Sequence, residues 1–177
     1  AAETGHLVFS TLHTNNAAGV IPRLIDLEVN PKILVSALSL SIAQRLVRKL
    51  CTVCKKEVPP TEEESRIITM VMDQAKKDGK DISKHGIDEH NPFTLYAPTG
   101  CPACNNTGYK GRIGIFEAIC KTKEIEQIIP NNPSERQIQD IAKTQGYLDM
   151  RQDGIVKILK GVTSYEEVGS VVDFYEN

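Results

Sequence analysis

Several absences narrow what this sequence of 177 residues can be. It contains no run of the about 20 apolar residues that a membrane-spanning helix needs, and no charged stretch followed by an apolar one opens it as a secretory signal peptide would. Its formal net charge is only -2, so the overall field gives no reason to expect a nucleic acid as partner. Tryptophan is also absent, which by itself excludes little. We expect a soluble globular protein in the cytosol or on the cytosolic face of a membrane.

The first residues combine an apolar segment with two histidines. Residues 6–12 mix β-branched and aromatic side chains without clean alternation, which is typical of a strand buried on both faces. His13 follows this predicted strand directly, at the edge where ligands bind in open α/β sheets. His6 lies at an odd separation from His13, so a regular strand would point the two imidazoles to opposite faces. The chain opens on Ala1 without a methionine, and we expect it to be a piece of a larger protein.

Two helices are predicted before the first cysteine. Thr14 is expected to cap the first, with an apolar stripe from Ala17 to Leu27. Asn30, followed by a proline, predicts the cap of the second, which should run to about Leu50. Arg45 and Arg48 are expected on one face of this second helix.

Four of the five cysteines form two C-x2-C motifs, Cys51 with Cys54 and Cys101 with Cys104. Two such thiol pairs supply the tetrahedral sulfur set that Zn²⁺ prefers. No coordination position would be left open, so we expect a structural zinc that staples the small subdomain in which the motifs lie. Basic residues flank the motifs closely enough to offset the negative charge of the thiolates: Arg48, Lys49, Lys55, Lys56, Lys110 and Arg112.

Other uses of these cysteines are less favoured. The expected cytosolic setting disfavours disulfides, and the lack of a preceding strand disfavours a thioredoxin-like redox motif. His85 and His90 lie in the polar stretch between the motifs and are expected to be solvated, not additional ligands. Cys120 is expected to be a buried free thiol.

The second half of the chain predicts a strand over residues 111–119 and then helices only. The helices are expected at about 123–129, after a Ser134 cap, at about 149–160 and after a Ser164 cap. Gly146 and Gly161 occupy positions where helices end.

Two stretches together resemble the secretion and type IV pilus ATPases of bacteria. "TGHLVFSTLHTNNA" is similar to their histidine box, and "AQRLVRKLC" followed by "GCPACNNTGYKGRIGIFE" is similar to the tetracysteine segment of their assembly branch. The tail, "DGIVKILKGVTSYEEV", resembles the ending of these proteins. The chain thus resembles the C-terminal part of a type II secretion ATPase or a pilus assembly ATPase. Retraction ATPases share the histidine box but generally lack the four cysteines.

The resemblance implies an α/β fold and a place in a hexameric motor that hydrolyses ATP with Mg²⁺ at the cytoplasmic side of the inner membrane. Residues 1–50 would complete a RecA-like core, residues 51–110 would form the inserted zinc subdomain, and residues 111–177 would hold a return strand and a helical region. The implied partners are other copies of the motor, an inner-membrane platform protein and cytoplasmic adaptor proteins, without nucleic acid.

The resemblance also implies roles for individual residues. His13 would approach the γ-phosphate of the nucleotide and sense its presence, and His6 would be a less certain second member of the histidine box. Arg45 would contact the nucleotide or a neighbouring subunit. From the residues alone, the simpler interpretations are a histidine hydrogen-bonded within a loop and an arginine on a solvated or zinc-compensating face.

The sequence departs from the family pattern in two ways. It has neither a GxxxxGK[ST] phosphate-binding loop nor an acidic Walker B strand, so we expect no ATP hydrolysis by this chain alone. Asn16 stands where the family commonly has aspartate, which should keep a cap or hydrogen bond while losing a charge.

A stand-alone zinc-stabilised interaction module without nucleotide chemistry is the main alternative function. A nucleic-acid-binding zinc protein is weaker, since no aromatic stacking residues interleave with the basic ones.

Overall fold

The computed structural model describes residues 2–87 and 92–175 and shows a mixed α/β chain. In these ranges the helices are α1 (Val20–Asp26), α2 (Pro31–Ala37), α3 (Glu62–Lys77), α4 (Lys123–Ile128), α5 (Glu135–Ala142), α6 (Met150–Leu159) and α7 (Tyr165–Gly169). The strands are β1 (Leu40–Leu50), β2 (Lys56–Val58), β3 (Leu95–Ala97) and β4 (Tyr109–Cys120). No helix in this described part is long and apolar enough to cross a lipid bilayer.

The strands form two pairs. β1 lies beside β4, and the hydrogen bonds at the two ends of the pair fix its direction. Lys121 N donates to Ser39 O at one end (3.0 Å) and Cys51 N donates to Gly108 O at the other (2.9 Å), so β1 and β4 run antiparallel. β2 and β3 are also antiparallel, with Glu57 opposite Tyr96.

The chain divides into two compact units. The first unit comprises Ala1–Ala43 and Glu117–Tyr147, and the second comprises Gln44–Phe116 and Leu148–Asn177. The first unit has an isoleucine-rich core built mainly from α1, α2, β4, α4 and α5: Ala17, Ala18, Ile21, Leu34, Ile119, Ile125, Ile129 and Ile138. Burial of this apolar surface is the main stabilising term for the unit.

The second unit has a larger core in which α3 and α6 lie against strand residues and the C-terminal segment. Ile68, Ile115, Ile158 and Val168 are fully buried there. α3 begins at a capping box in which the Thr61 hydroxyl accepts from Glu64 N and the Glu64 carboxylate accepts from Thr61 N. This reciprocal cap fixes the start of the helix that presents Ile68 to the core.

The strand predicted over residues 6–12 is not observed. These residues are irregular, and Leu7, Val8 and Phe9 are 83%, 52% and 88% exposed. A strand needs a hydrogen-bonding neighbour, and no described strand pairs with this segment. The apolar pattern is strand-like, but no strand that could pair with it lies among the described residues.

The helix predicted after Thr14 begins later than expected. α1 starts at Val20, and its N-terminal region is held by the Asn16 side-chain oxygen, which accepts from Gly19 N (2.9 Å). The Thr14 hydroxyl donates instead to Asn16 O (3.0 Å). Asn16 therefore closes the turn that leads into α1, and the N-cap residue, Gly19, has no side-chain cap.

The second predicted helix was too long. Asn30 caps α2 as expected, its side chain accepting from Lys32 N, but the helix ends at Ala37 and residues 40–50 form β1. Hydrophobic residues in this stretch fit both periodicities, and pairing with β4 favours the strand. Downstream, the predicted strand is confirmed as β4, and the Ser134 and Ser164 caps are confirmed at the starts of α5 and α7.

Candidate metal centre and histidine segment

Each C-x2-C motif forms a tight turn. In the first, Cys54 N and Lys55 N both donate to Cys51 O (3.3 and 3.0 Å). In the second, Cys104 N and Asn106 N donate to Cys101 O (3.0 and 2.9 Å). Turns of this kind place the two thiols of each motif on one side of the backbone.

The two turns bring all four sulfurs together. The Sγ atoms of Cys51 and Cys101 are 3.9 Å apart, those of Cys54 and Cys104 are 3.8 Å apart, and those of Cys101 and Cys104 are 3.7 Å apart. All four lie within 4.8 Å of one another. A tetrahedral Zn²⁺ with Zn–S bonds of about 2.3 Å has sulfurs about 3.8 Å apart, so the donor set fits such an ion.

The thiols are free, and their separations are those of ligands. All five cysteines of the chain are unbonded to one another, and sulfurs 3.7–3.9 Å apart are far outside the S–S bond length of about 2.05 Å. The arrangement therefore disagrees with a disulfide and agrees with the predicted metal-binding use of Cys51, Cys54, Cys101 and Cys104.

The surroundings shift the pKa values of the two thiols of the second motif in opposite directions. Burial of Cys104 opposes ionisation, but the N–H groups of Cys101 and Gly108 both donate to its sulfur at 3.2 Å and lower its pKa to about 6. Burial and hydrogen bonding to neighbouring thiols raise the pKa of Cys101 to about 11. One sulfur of the pair is thus prepared as a thiolate before any metal arrives.

The histidines between the motifs do not join the cluster within the described residues. His85 lies in a short 3-10 turn (Ser83–His85) and is partly exposed. His90 lies outside the described residues. Of the basic residues expected to offset the thiolate charge, Lys55 donates to Gly161 O (2.7 Å) and Arg48 pairs with Glu167, so both have other partners.

The histidine segment is open to solvent. His6 and His13 are both exposed, and the Nδ1 atom of His6 lies 3.0 Å from the Thr4 hydroxyl oxygen. Near the end of this segment, the side-chain nitrogen of Asn16 donates a hydrogen bond to Glu135 of α5. A carboxylate at position 16 could not make this bond, because it has no proton to donate at neutral pH.

Replacing Asn16 by aspartate is therefore expected to destabilise the first unit. The change sets two carboxylates against each other at this partly exposed site, and we expect the free energy of unfolding to fall by about 1 kcal/mol at pH 7. Urea unfolding followed by circular dichroism measures the loss. In a Glu135→Gln background the same substitution should cost much less, since the glutamine amide can donate to Asp; an equal cost in both backgrounds would contradict this account.

Arg45 is not where the sequence placed it. It lies on β1, partly buried, and not on a helix. Because side chains alternate along a strand, Arg45 and Arg48 point to opposite faces, and the predicted shared face was wrong. Arg48 has a defined place instead: its guanidinium carbon is 4.2 Å from the centre of the Tyr109 ring, and its side chain donates to Glu167.

Glu167 has a second role that its local sequence does not indicate. The S-x-x-E pattern correctly gave Ser164 as a cap, with its hydroxyl accepting from Glu167 N (3.3 Å). The Glu167 carboxylate, however, accepts from the backbone N and Nε of Arg48, each at 2.9 Å. No local pattern indicates so distant a partner.

The fold and the converging thiols define a mixed α/β protein with a tetrathiol site that could hold a metal ion. Comparison with protein families agrees with this class: the model described as "Type II/IV secretion system protein" matches residues 1–170. The chain belongs to the type II/IV secretion system protein family.

Relatives in this family come from both secretion and pilus systems. The type IV pilus assembly ATPase PilB of Pseudomonas aeruginosa is 40% identical over 171 residues, which cover 97% of this chain and 27% of that protein. Type II secretion system protein E of the same organism is 39% identical over 168 residues, covering 95% of this chain and 30% of that protein. Type II secretion system ATPase E of Vibrio cholerae is 37% identical over 168 residues, with the same two coverages. The chain thus spans less than a third of the length of these curated relatives.

Proposed function

We propose that this chain is the C-terminal part of an ATP-hydrolysing motor that powers type IV pilus assembly or type II secretion. The observation that carries the proposal is the identity of about 40% to a pilus assembly ATPase over nearly the whole chain. The sequence has no phosphate-binding loop, so the nucleotide cradle and the Mg²⁺ ligands have to come from polypeptide beyond these residues. In this proposal the chain alone does not hydrolyse ATP.

The metal of the tetrathiol site is zinc in this proposal. Cys51, Cys54, Cys101 and Cys104 would hold it, and four thiolates leave no position for water or substrate. Zinc would supply no reaction chemistry there. Its contribution is to cross-link the two turns and so to stabilise the second unit.

The histidine segment carries the proposed nucleotide contact. An exposed imidazole at His13 can donate a hydrogen bond to the γ-phosphate and so distinguish ATP from ADP. His6 is proposed as a weaker second contact, and Arg45 as a contact to nucleotide or to a neighbouring subunit. The rest of the proposal follows the family: a hexamer with a RecA-like core, at the cytoplasmic side of the inner membrane, bound to platform and adaptor proteins. The division into residues 1–50, 51–110 and 111–177 belongs to the same proposal.

Steady-state ATP hydrolysis by the full-length protein tests the proposed sensing role of His13. His13→Ala is expected to lower the turnover number at least about tenfold, the size of effect typical of one lost charge-stabilising donor. Val53→Ala, a change on the exposed tip of the first cysteine turn, is the matched control and should leave turnover unchanged. Normal turnover in His13→Ala would contradict the sensing role.

The coding sequence tests the alternative of a stand-alone interaction module. A reading frame that continues upstream into a GxxxxGK[ST] loop supports the motor, because that loop supplies the missing phosphate cradle. A reading frame that contains no such loop would contradict it.

A further inference from the structure

The C-terminal helix α7 rests on residues that adjoin the two cysteine turns. Its cap residue, Ser164, has its hydroxyl oxygen 2.9 Å from the Tyr109 hydroxyl. Its third residue, Glu167, accepts from the backbone and the side chain of Arg48. Arg48 shortly precedes Cys51, and Tyr109 follows Gly108, whose N–H donates to the Cys104 sulfur. Arg48 and Tyr109, which both bond to residues at the start of α7, therefore lie beside different cysteine turns.

The segment that leads into α7 is bound to the first turn as well. Leu50 N donates to Val162 O (2.9 Å), the Thr163 hydroxyl donates to Arg48 O (2.8 Å), and Lys55 Nζ donates to Gly161 O (2.7 Å). Thr163 and Ser164 are fully buried in these contacts. These contacts join residues 161–167 to the residues beside the two cysteine turns, in addition to the backbone hydrogen bonds that Gly161 and Val162 make to α6.

Apart from the sulfurs, the two turns are joined by a hydrogen bond from Cys51 N to Gly108 O, by the Thr99 hydroxyl, which donates to Cys54 O, and by the β2–β3 pair. The hydrogen bond from Cys51 N to Gly108 O is the last one of the β1–β4 pair, and the ends of paired strands fray. A metal held by all four sulfurs lies just beyond this bond and would prevent the fraying. The relative position of Arg48 and Tyr109, which both contact α7 or its cap, is then fixed by the β1–β4 pair and by the metal.

Apolar contacts keep α7 partly attached without the metal. Val168 is fully buried, and a Cβ added at Gly154 of α6 would lie 2.6 Å from its Cγ1 atom, so the two helices are in close contact. Within the same C-terminal segment, Tyr165 and Phe174 stack with ring centres 5.0 Å apart, and Phe174 is buried in the core of the second unit. The metal is therefore expected to shift an equilibrium between attached and released α7, not to create the contact.

We propose that metal occupancy of the four-cysteine site controls the attachment of residues 165–175 to the second unit, through Arg48 and Tyr109. The metal-free chain releases this C-terminal segment more often, while α3 and α6 stay folded. This inference rests on the tetrathiol site holding a metal, and not on the proposed role in ATP hydrolysis.

Hydrogen–deuterium exchange of the chain with one bound zinc, and after removal of zinc by a chelator, tests the proposal. The amides of Ser170, Val171 and Val172 donate to carbonyls of α7 and report its attachment. Their exchange is expected to accelerate at least about tenfold without zinc, within the range of ordinary coupling between two sites. Unchanged exchange in chain that has lost its zinc would overturn the proposal. Equal acceleration of α3 and α6 would overturn it too, since that result is general unfolding.

A matched pair of substitutions separates the proposed link from general loss of stability. Glu167→Gln removes the charge that binds Arg48, whereas Glu166→Gln removes the same charge from the neighbouring, solvent-facing position of α7. Because coupling is reciprocal, Glu167→Gln is expected to accelerate exchange in residues 165–175 and also to weaken zinc affinity, measured by competition with a chromophoric chelator. Glu166→Gln should change neither quantity. Equal effects of the two substitutions, or a Glu167→Gln protein with unchanged zinc affinity, would refute the link.

Discussion

Replacing Cys104 by serine is expected to abolish stoichiometric zinc binding and to destabilise the second unit while its core helices α3 and α6 stay folded. Cys104 is buried, and its sulfur is the one whose pKa is lowered to about 6, so it is the best prepared of the thiols of the second motif. Serine keeps the size of the side chain but offers a hydroxyl that stays protonated and binds zinc poorly. Zinc contributes roughly 10 kcal/mol in small zinc domains. Only part of that is expected to be lost here, because the apolar core around α3 and α6 does not depend on the metal.

Metal analysis and thermal unfolding measure this outcome together. The unsubstituted chain should contain one zinc per molecule, and Cys104→Ser should contain almost none and show a cooperative transition of the second unit at a clearly lower temperature. Cys120→Ser is the matched control, because that thiol lies in the first unit with its sulfur 3.6 Å from the Tyr147 hydroxyl oxygen. A Cys104→Ser protein that kept one zinc and the transition temperature of the unsubstituted chain would show that these four sulfurs are not the site.

The second large effect is expected at Gly161, where the chain turns from α6 into the segment that precedes α7. Its φ of +62° lies in the left-handed region, and a Cβ there would lie 2.6 Å from Cδ2 of Tyr96 and 2.8 Å from Nζ of Lys55. Alanine at this position would both strain the backbone and clash with the Tyr96 ring. We expect Gly161→Ala to lower the free energy of unfolding by about 3 kcal/mol, measured by urea unfolding of the zinc-loaded chain.

Gly146 provides the control for the backbone part of this effect. Its φ is +79°, but no atom lies within 4 Å of the position that a Cβ would take. Gly146→Ala should therefore cost only about 1 kcal/mol, the ordinary penalty for a left-handed residue with a side chain. Equal costs at the two glycines would mean that Tyr96 and Lys55 adjust freely.

The sequence was most informative where a structural cause is local. The caps at Asn30, Ser134 and Ser164 depend on residues a few positions apart, and all three are observed. The two cysteine motifs are local turns too, and their meeting could be anticipated because a zinc site needs four ligands. Short patterns thus predicted the starts of α5 and α7 and the convergence of the four cysteines, but not the start of α1, where the expected Thr14 cap is absent.

Prediction failed where distant pairing decides the conformation. Residues 40–50 carry a pattern compatible with a helix, but their hydrogen bonds go to β4, which lies far along the chain. The ion pair of Arg48 with Glu167 joins two residues whose separation in sequence carries no signal. Residues 6–12 show the opposite error. Their composition is strand-like, but they form no strand, and none of the described strands pairs with them.

The position of the four sulfurs also bears on how β1 and β4 find their alignment during folding. A pair of antiparallel strands can slip, and a slip of one residue turns every side chain to the opposite face. Because Cys51 directly follows β1, and Gly108, bonded to the Cys104 sulfur, directly precedes β4, a slipped pair would carry the two thiol pairs apart. A metal that requires all four ligands would bind only the correctly aligned pair. It would therefore stabilise the correct strand register over slipped ones.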